Sequence, residues 1–178
     1  MTRAFIALGS NIDPDRHVVQ AVRLLAAQVR IVGISTVYRT PAEDRPEQPP
    51  YYNCVIAIET GGAPAEIQQA VLHPIEQALG RVRTADKYAA RTIDLDLIWY
   101  DDLILNSAAL TLPDPHIRRR VFLACGLREL APELVWPGSG QTLAAIAAGL
   151  PAAAMEPLAA YTTLARNAAG LERDDGSA

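Results

Sequence analysis

Cysteines are scarce in this chain and long apolar runs are missing, and each shortage excludes a class of protein. Two cysteines among 178 residues, both with apolar neighbours, predict buried free thiols rather than a disulfide framework or a cysteine zinc site. The apolar run at the N-terminus is too short for a signal peptide. The Ala-rich stretch 143–161 is broken by glycine, proline and glutamate, so we expect no membrane span. A reduced, cytoplasmic protein is therefore predicted.

Positive charge is scarce as well. The 16 lysines and arginines are outnumbered by 20 aspartates and glutamates, which gives a formal net charge of −4. This balance argues against a general nucleic-acid binder. Half of the residues are apolar and 20% are charged, which predicts a buried core rather than disorder. Because no repeat or linker divides the chain, we expect one domain over residues 1–167, a disordered tail over 168–178, and a monomer.

Apolar periodicity predicts a mixed α+β chain. Four segments rich in β-branched and aromatic residues are predicted strands: 3–8, 31–39, 51–60 and 92–100. Residues 103–106 add a short partner strand. Apolar residues at helical spacing predict four helices: one from Asp13 to about Val29, and others at 64–79, 117–130 and 141–149. Pro74 should kink or split the second helix. The order predicts a ferredoxin-like βαββαβ antiparallel sheet with helices packed on one side of it.

The strand TIDLDLIWY, residues 92–100, carries two acids on one face. In a strand that alternates strictly, Asp94 and Asp96 point the same way, while Leu95, Leu97 and Trp99 point into the core. Their Cβ atoms are then ~7 Å apart, and the two carboxylates repel unless a cation or an arginine lies between them. Magnesium suits such a pair because it binds carboxylates together with substrate phosphates. The alternative is a solvated strand face with two ordinary aspartates.

A basic segment precedes these acids and has the composition of a phosphate-binding loop. Four cations lie within residues 81–91: Arg81, Arg83, Lys87 and Arg91. A second cluster, Arg118–Arg120, opens the helix near 117. Arginines beside a metal-binding acidic pair suit a triphosphate, and the polar loop suits a lid that excludes water. A solvated basic loop is the alternative.

Aromatic and amide side chains that follow a Pro-rich loop, TPAEDRPEQPP (40–50), could hold a flat heterocycle. Tyr51, Tyr52 and Asn53 begin the strand 51–60, and Phe122 could supply a second ring face. An aromatic ring stacks on a heterocycle, while an amide pairs with its donors and acceptors. The alternative is that these residues are ordinary core and strand positions.

Taken together, these segments resemble the 6-hydroxymethyl-7,8-dihydropterin pyrophosphokinase family. The matching stretches follow the family's order and cover about residues 3–137: ALGSN (7–11), VYRTPAEDRPEQPPYYNCVIAIET (37–60), LGRVR (79–83), RTIDLDLIWYDD (91–102) and LTLPDP…RRRVFL…LRELAPEL (110–134). The R-T-x-D-L-D-L stretch is highly specific, and Y-R-T-P and L-G-x-R upstream make a chance match very improbable.

The resemblance implies an enzyme that moves pyrophosphate from ATP to a pterin alcohol and releases AMP, in folate biosynthesis. It implies that Asp94 and Asp96 bind two Mg²⁺ ions and that Arg81 and Arg91 are catalytic. Whether a side chain accepts the alcohol's proton is left open, and Asp96 is the candidate only because it is near. The implied ATP contacts are Glu76, Arg83, Leu97, Thr111 and Arg120. The implied pterin contacts are Gly9, Thr40, Pro41, Tyr51, Asn53 and Phe122.

Three departures from the family pattern accompany this resemblance. Asp114-Pro115 stands where His-Pro is common, with His116 just after it. Tyr88-Ala89-Ala90 precedes Arg91 where Trp-Gly-Pro is familiar, and Thr84 replaces a frequent lysine. None of the three removes the acidic pair or the paired arginines.

Two other functions remain open at this stage. A polymerase-β-like nucleotidyltransferase also combines a Gly-Ser turn with D-x-D on a strand, but there the two elements lie close in sequence, whereas here Gly9-Ser10 lies far upstream of Asp94. A non-catalytic ferredoxin-like binding module is the second alternative. It predicts that magnesium and an ATP analogue leave the melting temperature unchanged.

Overall fold

The structure is a computed structural model that describes residues 1–43, 45–82, 85–86, 89–151 and 154–171. Eight strands form among these residues: β1 (Thr2–Ser10), β2 (Arg30–Ile34), β3 (Tyr38–Thr40), β4 (Tyr51–Thr60), β5 (Asp94–Tyr100), β6 (Leu105–Asn106), β7 (Thr111–Leu112) and β8 (Glu156–Pro157). The α-helices are α1 (Pro14–Ala26), α2 (Pro64–Glu66), α3 (His73–Ala78), α4 (Val121–Leu130), α5 (Leu143–Gly149) and α6 (Ala159–Ala168). A π-helical turn, Ile67–Leu72, joins α2 to α3, and a 3₁₀-helix spans Pro115–Arg118.

The main sheet brings three predicted site residues side by side. Its strand order is β5-β1-β4-β3-β8, β2 also pairs with β4, and all of these pairs are antiparallel. Gly9 near the end of β1 lies opposite Asn53 of β4 on one side and opposite Asp94 of β5 on the other. The antiparallel register therefore gathers residues that are more than forty positions apart in sequence at one end of the sheet.

Helices cover both faces of this sheet. On one face, Ile6, Leu8 and Ile56 join a buried cluster with residues of α1, α6 and the helical segment 64–78. On the other face, Phe5 and Val55 join a second cluster with α4 and α5. The prediction of helices on one side was therefore wrong. The sequence of β1 and β4 accounts for the difference, because strands buried on both faces have nearly continuous apolar runs such as FIAL and CVIAI.

The helical segment 64–78 accommodates Pro74 without a break. The sequence predicted a kink or a split, and the structure instead has the π-helical turn Ile67–Leu72 directly before α3. Proline has no N–H, and its ring clashes with the carbonyl four residues earlier. A widened turn relieves both problems, and such turns are frequent at functional sites.

The predicted strand 31–39 is divided into β2 and β3 by Ser35. The Ser35 N–H donates to the Val55 carbonyl (2.9 Å), and the Ser35 Oγ accepts from the Val55 N–H (2.9 Å). A side-chain hydroxyl thus replaces a backbone carbonyl in the ladder and interrupts regular pairing. The chain then re-enters the sheet as the short strand β3, which carries Thr40.

A bulge in β5 reverses the predicted alternation after Leu97. Ile6 of β1 pairs with Leu97 and Phe5 pairs with Trp99, so Ile98 is an extra residue in β5. Trp99 therefore packs with Phe5 in the second cluster, rather than on the Leu97 face as predicted. The alternation holds for Asp94 and Asp96, which precede the bulge.

The remaining boundaries differ in detail from the predictions. The predicted helix 117–130 is a 3₁₀-helix at Pro115–Arg118 followed by α4, and the predicted helix 141–149 is α5, whose Thr142 side chain caps it by accepting from the Ala145 N–H (3.1 Å). Residues of the predicted strand 103–106 pair with β7, as β6. No helix within the described ranges combines the length and apolar character that crossing a bilayer requires.

The C-terminal segment contains a helix that the sequence reasoning missed. Helix α6 ends at Ala168, and Ala169 and Leu171 pack against the first core cluster. The prediction of a disordered tail from 168 was therefore wrong for 168–171, and 172–178 lie outside the described residues. Small and polar residues such as Ala165 and Thr162 face the core, so the apolar periodicity of this helix is weak.

Candidate active site

A cavity of 740 Å³ opens where β1, β4 and β5 meet the Pro-rich loop and the start of α4. Its volume lies within the usual range for small-molecule sites, about 300–1,000 Å³. Acidic, basic and aromatic side chains line it, including Asp94, Asp96, Arg91, Arg120, Tyr51 and Phe122. The lining therefore joins the predicted metal-binding strand to the predicted ring-binding residues.

Asp94 and Asp96 both face this cavity from β5. Asp94 lies opposite Gly9 and Asp96 opposite Ala7 in the β1–β5 register. Their common face follows from the strand alternation that the sequence predicted. Two carboxylates of one strand are thus exposed to the same cavity.

Arginines surround Asp94. The Arg81 guanidinium donates to one Asp94 oxygen, and Arg91 Nη1 donates to Asp94 Oδ2 at 2.5 Å. Arg81 also donates to Glu76, so two carboxylates share this guanidinium. Charge-assisted bonds of this kind are among the stronger interactions in proteins. The sequence suggested that an arginine or a cation must lie between the acids, and here arginines bind Asp94.

The charge of Asp96 is less well balanced. Asp96 is exposed where it opens onto the cavity, but the cavity walls displace part of its bulk hydration. This desolvation and the negative charges of Asp94 and Glu76, opposed by the Arg81 guanidinium, together raise the pKa of Asp96 to about 7. No hydrogen bond to the Asp96 carboxylate is found within the described part of the chain. A carboxylate in this position favours a proton or a cation.

Glu76 lies behind the acidic pair rather than in the cavity wall. Its side chain is 2% exposed. Glu76 Oε1 accepts from the Leu95 N–H (2.9 Å) on the free edge of β5 as well as from Arg81. The residue thus fixes Arg81 relative to the strand that bears Asp94. The direct nucleotide contact implied by the resemblance remains a prediction for Glu76.

The six predicted pterin contacts all line the cavity: Gly9, Thr40, Pro41, Tyr51, Asn53 and Phe122. Asn53 Nδ2 donates to Thr40 Oγ1 at 2.8 Å, which fixes the amide. A Cβ on Gly9 would lie 2.7 Å from Asn53 Oδ1, so a side chain at position 9 would displace that amide. Burial raises the pKa of the Tyr51 hydroxyl. These residues form a half-buried polar and aromatic wall.

The arginine cluster 118–120 is divided between two surfaces. Arg119 and Arg120 line the cavity. Arg118 instead stacks on Trp136, with its guanidinium carbon 4.6 Å from the ring centroid, and donates to Ser139 and Gln141. Arg118 ends the 3₁₀-helix, whereas Arg119 and Arg120 form the turn between that helix and α4. Arg119 and Arg120 therefore add positive charge to the cavity, and Arg118 does not line it.

Three other predicted ATP contacts lie away from the cavity lining or outside the described residues. Leu97 is buried in the first core cluster, and its N–H donates to Gln68 Oε1 at 3.4 Å. Thr111 is exposed on β7. Arg83 falls among the residues that the structure does not describe. The nucleotide roles of all three remain predictions.

Asn11 connects three parts of the site, and the sequence reasoning assigned it no role. The buried Asn11 side chain donates to Gln48 Oε1 (3.1 Å) and to the Pro49 carbonyl (3.3 Å), and it accepts from the Arg91 N–H (2.8 Å). It therefore ties the Pro-rich loop to the backbone of Arg91. Its place at the end of the β1 turn, in ALGSN, was the available signal.

Asp114, which stands where the family commonly has histidine, and the nearby His116 also line the cavity. Asp114 caps the 3₁₀-helix, because its Oδ1 accepts from the His116 N–H (2.8 Å), and the His116 Nδ1 lies 2.8 Å from the same oxygen. The carboxylate therefore orients the imidazole. Neither residue was assigned a role from the sequence.

Comparisons with known proteins agree with this geometry. A model of the family described as 7,8-dihydro-6-hydroxymethylpterin-pyrophosphokinase matches residues 5–132. A 2-amino-4-hydroxy-6-hydroxymethyldihydropteridine pyrophosphokinase from Synechocystis sp. is 37% identical over 159 residues, which cover 88% of this chain and 80% of that protein. A protein of the same name from Methylorubrum extorquens is 39% identical over 141 residues, 78% of this chain and 88% of that protein.

A solved structure shares the fold at low sequence identity. The crystal structure of Plasmodium falciparum HPPK-DHPS, wild type with SDX-DHP, matches 83% of this chain with a TM-score of 0.60 and 12% identity. The match spans 43% of that longer chain. This likeness shows a shared fold. The family model and the two relatives show the family. This chain belongs to the 7,8-dihydro-6-hydroxymethylpterin-pyrophosphokinase family.

Proposed function

We propose that this chain transfers pyrophosphate from ATP to the hydroxymethyl group of 6-hydroxymethyl-7,8-dihydropterin, releases AMP, and thereby serves folate biosynthesis. The observation that carries the proposal is one cavity that joins a paired-aspartate strand to an aromatic and amide wall. The paired aspartates suit a metal-bound triphosphate, and the aromatic and amide wall suits a flat ring. The family match and the names of the relatives support the same reaction.

Magnesium fits the acidic end of the cavity. Asp94 and Asp96 offer hard oxygen ligands on one strand face. Desolvation and the neighbouring charges of Asp94 and Glu76 raise the pKa of Asp96, so its ionised form is unfavourable unless a cation lies beside it. Bound magnesium would neutralise part of the triphosphate charge. We propose two ions, held by Asp94 and Asp96, as the family resemblance implies.

Arginines would bind the phosphate oxygens that magnesium does not coordinate. Arg91 and Arg120 line the cavity, and Arg81 lies against Asp94 from the adjoining loop. Guanidinium groups bind phosphate oxygens through two parallel hydrogen bonds and lose little solvation when they do so. Arg81 and Arg91 thereby stabilise the charge that develops as the bond to AMP breaks.

The pterin would lie between Tyr51 and Phe122, with Asn53 and Thr40 against its polar edge. Asn53 is already oriented by Thr40, so little side-chain freedom is lost when the ring binds. The alcohol oxygen attacks the β-phosphorus in line, and AMP departs from the opposite side. Alignment and charge stabilisation supply the catalysis, with no covalent intermediate.

Three finer features complete the proposal. The strand order β5-β1-β4-β2/β3 supports a ferredoxin-like βαββαβ core to which β8 and α6 are added. Residues 1–171 form the catalytic domain, because α6 and the residues that follow it pack against the first core cluster, and the enzyme acts as a monomer. Cys54 and Cys125 are both unpaired, in keeping with a reducing cytoplasm.

The test is an assay of AMP release with purified protein. We expect AMP only when ATP, the pterin alcohol and magnesium are all present, together with a product that carries two phosphates on the pterin. AMP release without the pterin alcohol would indicate a different acceptor, and would contradict the proposal. A nucleotidyltransferase would instead release pyrophosphate, and a binding module would release neither.

A further inference from the structure

The C-terminal segment 154–171 follows the edge of the sheet beside β2 and β3. It contains β8 and α6, and it lies beyond residue 132, where the family model ends. Strand β8 pairs with β3, with Glu156 opposite Arg39 and Pro157 opposite Tyr38. This segment therefore occupies the side of β3 that β4 leaves open.

Val37, between β2 and β3, gives both of its backbone groups to this segment. The Val37 N–H donates to Thr162 Oγ1 (2.9 Å), and the Leu158 N–H donates to the Val37 carbonyl (2.8 Å). The same Thr162 hydroxyl donates to the Leu158 carbonyl (2.9 Å). Val37 and Thr162 are both buried. Without the hydroxyl, the Val37 N–H would be a buried donor without this partner, which is costly.

Helix α6, which carries Thr162, is itself held against the core and against the end of β2. Ala165 is fully buried in the first core cluster, and the rings of Tyr161 and Tyr52 lie 5.1 Å apart. Arg166 Nε donates to the Ile34 carbonyl at the end of β2 (3.0 Å). The helix thus binds backbone groups on both sides of the interruption at Ser35.

Strand β3 is only three residues long, and the contacts with the C-terminal segment hold it, together with its pairing to β4 and with hydrogen bonds from the Thr36 N–H and the Tyr38 hydroxyl to Glu129. It begins just after the interruption and ends with Thr40, whose hydroxyl accepts from Asn53 in the cavity wall. Pro41 follows directly and also lines the cavity. A displacement of β3 would therefore move Thr40 and Pro41 and release the Asn53 amide. The acidic pair lies on β5, three strands away in the sheet.

We propose that residues 156–168 are a strap that positions the pterin-binding wall, with Thr162 as the positioning residue. The inference rests on the proposed function, since it takes Thr40, Pro41 and Asn53 as pterin contacts. It requires the strap to affect one substrate: the pterin alcohol binds more weakly when the strap is loosened, while ATP binding, which depends on β5 and its arginines, is unchanged.

The test compares Thr162→Val with Thr163→Val in the full chain. Thr163 is the matched control, because its hydroxyl donates only to the Ala159 carbonyl of its own helix in the described structure (3.2 Å). We expect Thr162→Val to raise the KM for the pterin alcohol about fivefold to tenfold, with the KM for ATP unchanged. Thr163→Val should match the parent protein, and Thr162→Ser, which keeps the hydroxyl, should restore the parent value. An equal rise in both KM values, or no rise, would overturn the proposal.

Amide hydrogen exchange gives an independent measurement. In Thr162→Val, residues 36–40 should exchange at least tenfold faster than in the parent protein, while β4 remains protected. Faster exchange throughout the sheet, or global unfolding of the variant, would show that Thr162 supports the whole fold and would contradict a local role. This measurement needs no substrate, so it separates failure of the strap from failure of the proposed reaction, which the parent protein's AMP assay decides.

Discussion

Replacement of each aspartate of the pair by asparagine should have opposite effects on the stability of the metal-free protein. Asp94 accepts hydrogen bonds from Arg81 and Arg91, whereas Asp96 is held beside other acids and has a pKa of about 7. Asp94→Asn therefore removes favourable charge pairing, and Asp96→Asn removes an unfavourable charge. The sequence predicted repulsion between the two carboxylates; in the structure arginine hydrogen bonds offset that repulsion at Asp94.

The contacts of Asp94 determine how much Asp94→Asn lowers the free energy of unfolding. Its side chain is 23% exposed, and those of Arg81 and Arg91 are 12% and 20% exposed. Charge-assisted hydrogen bonds contribute about 1.5–3 kcal/mol each. Arg81 retains Glu76 as a partner, and water can reach Arg91, so part of the loss is recovered. We expect Asp94→Asn to lower the free energy of unfolding by about 2 kcal/mol.

The effect of Asp96→Asn should depend on pH. The pKa of Asp96 in the folded protein is about 7, above its value in the unfolded chain, about 3.9. The stability that this group contributes is therefore complete below about pH 4 and is lost as the pH rises through 7. Asparagine does not titrate, so the variant should be increasingly more stable than the parent protein between pH 5 and pH 8.

Urea unfolding at several pH values, with a metal chelator present, measures both effects. Both variants should also fail to release AMP when magnesium is restored. If Asp94→Asn is as stable as the parent protein, the arginine pairing does not contribute as argued. If the difference between Asp96→Asn and the parent protein is independent of pH from 5 to 8, the raised pKa of Asp96 is refuted.

Three further substitutions test other parts of the site. Gly9→Ala should raise the KM for the pterin alcohol about tenfold, because its Cβ would displace Asn53; steady-state kinetics measure this, and an unchanged KM would contradict the close approach. Arg91→Ala should slow the chemical step about 10²–10³-fold and weaken ATP binding far less, as single-turnover assays and ATP titration would show; a loss confined to binding would contradict a catalytic role. Asn11→Ala should lower the free energy of unfolding by about 2 kcal/mol and reduce kcat; urea unfolding and kinetics would detect both, and parent-like values would contradict its linking role.

The sequence predicted the central strands well because their signals are local. Strict alternation placed Asp94 and Asp96 on one face, and the β-branched and aromatic residues of 51–60 identified the strand β4. What local patterns do not contain is pairing between strands. The bulge at Ile98 depends on the register with β1, and the interruption at Ser35 depends on Val55. The apolar runs of β1 and β4 are a local signal for coverage of both sheet faces, but which helices cover each face depends on how α4 and α6 pack.

The site was predicted in outline from residue types and from the family resemblance. Neither source indicates how charges pair before substrates bind. The shared position of Arg81 between Glu76 and Asp94 requires the turn after α3 to meet β5 in space. The role of Asn11 requires contacts with Gln48 and Arg91, which are 37 and 80 positions away. Such long-range hydrogen bonds leave no periodic trace in a sequence.

A crystal structure of the protein with magnesium and a non-hydrolysable ATP analogue tests the central claim most directly. The account predicts that oxygen atoms of both Asp94 and Asp96 coordinate magnesium, together with oxygens of the triphosphate, and that Arg91 contacts the phosphates. If nucleotide is bound while both carboxylates remain without metal, the acidic pair does not hold the reacting triphosphate, and the proposed chemistry at this cavity is contradicted.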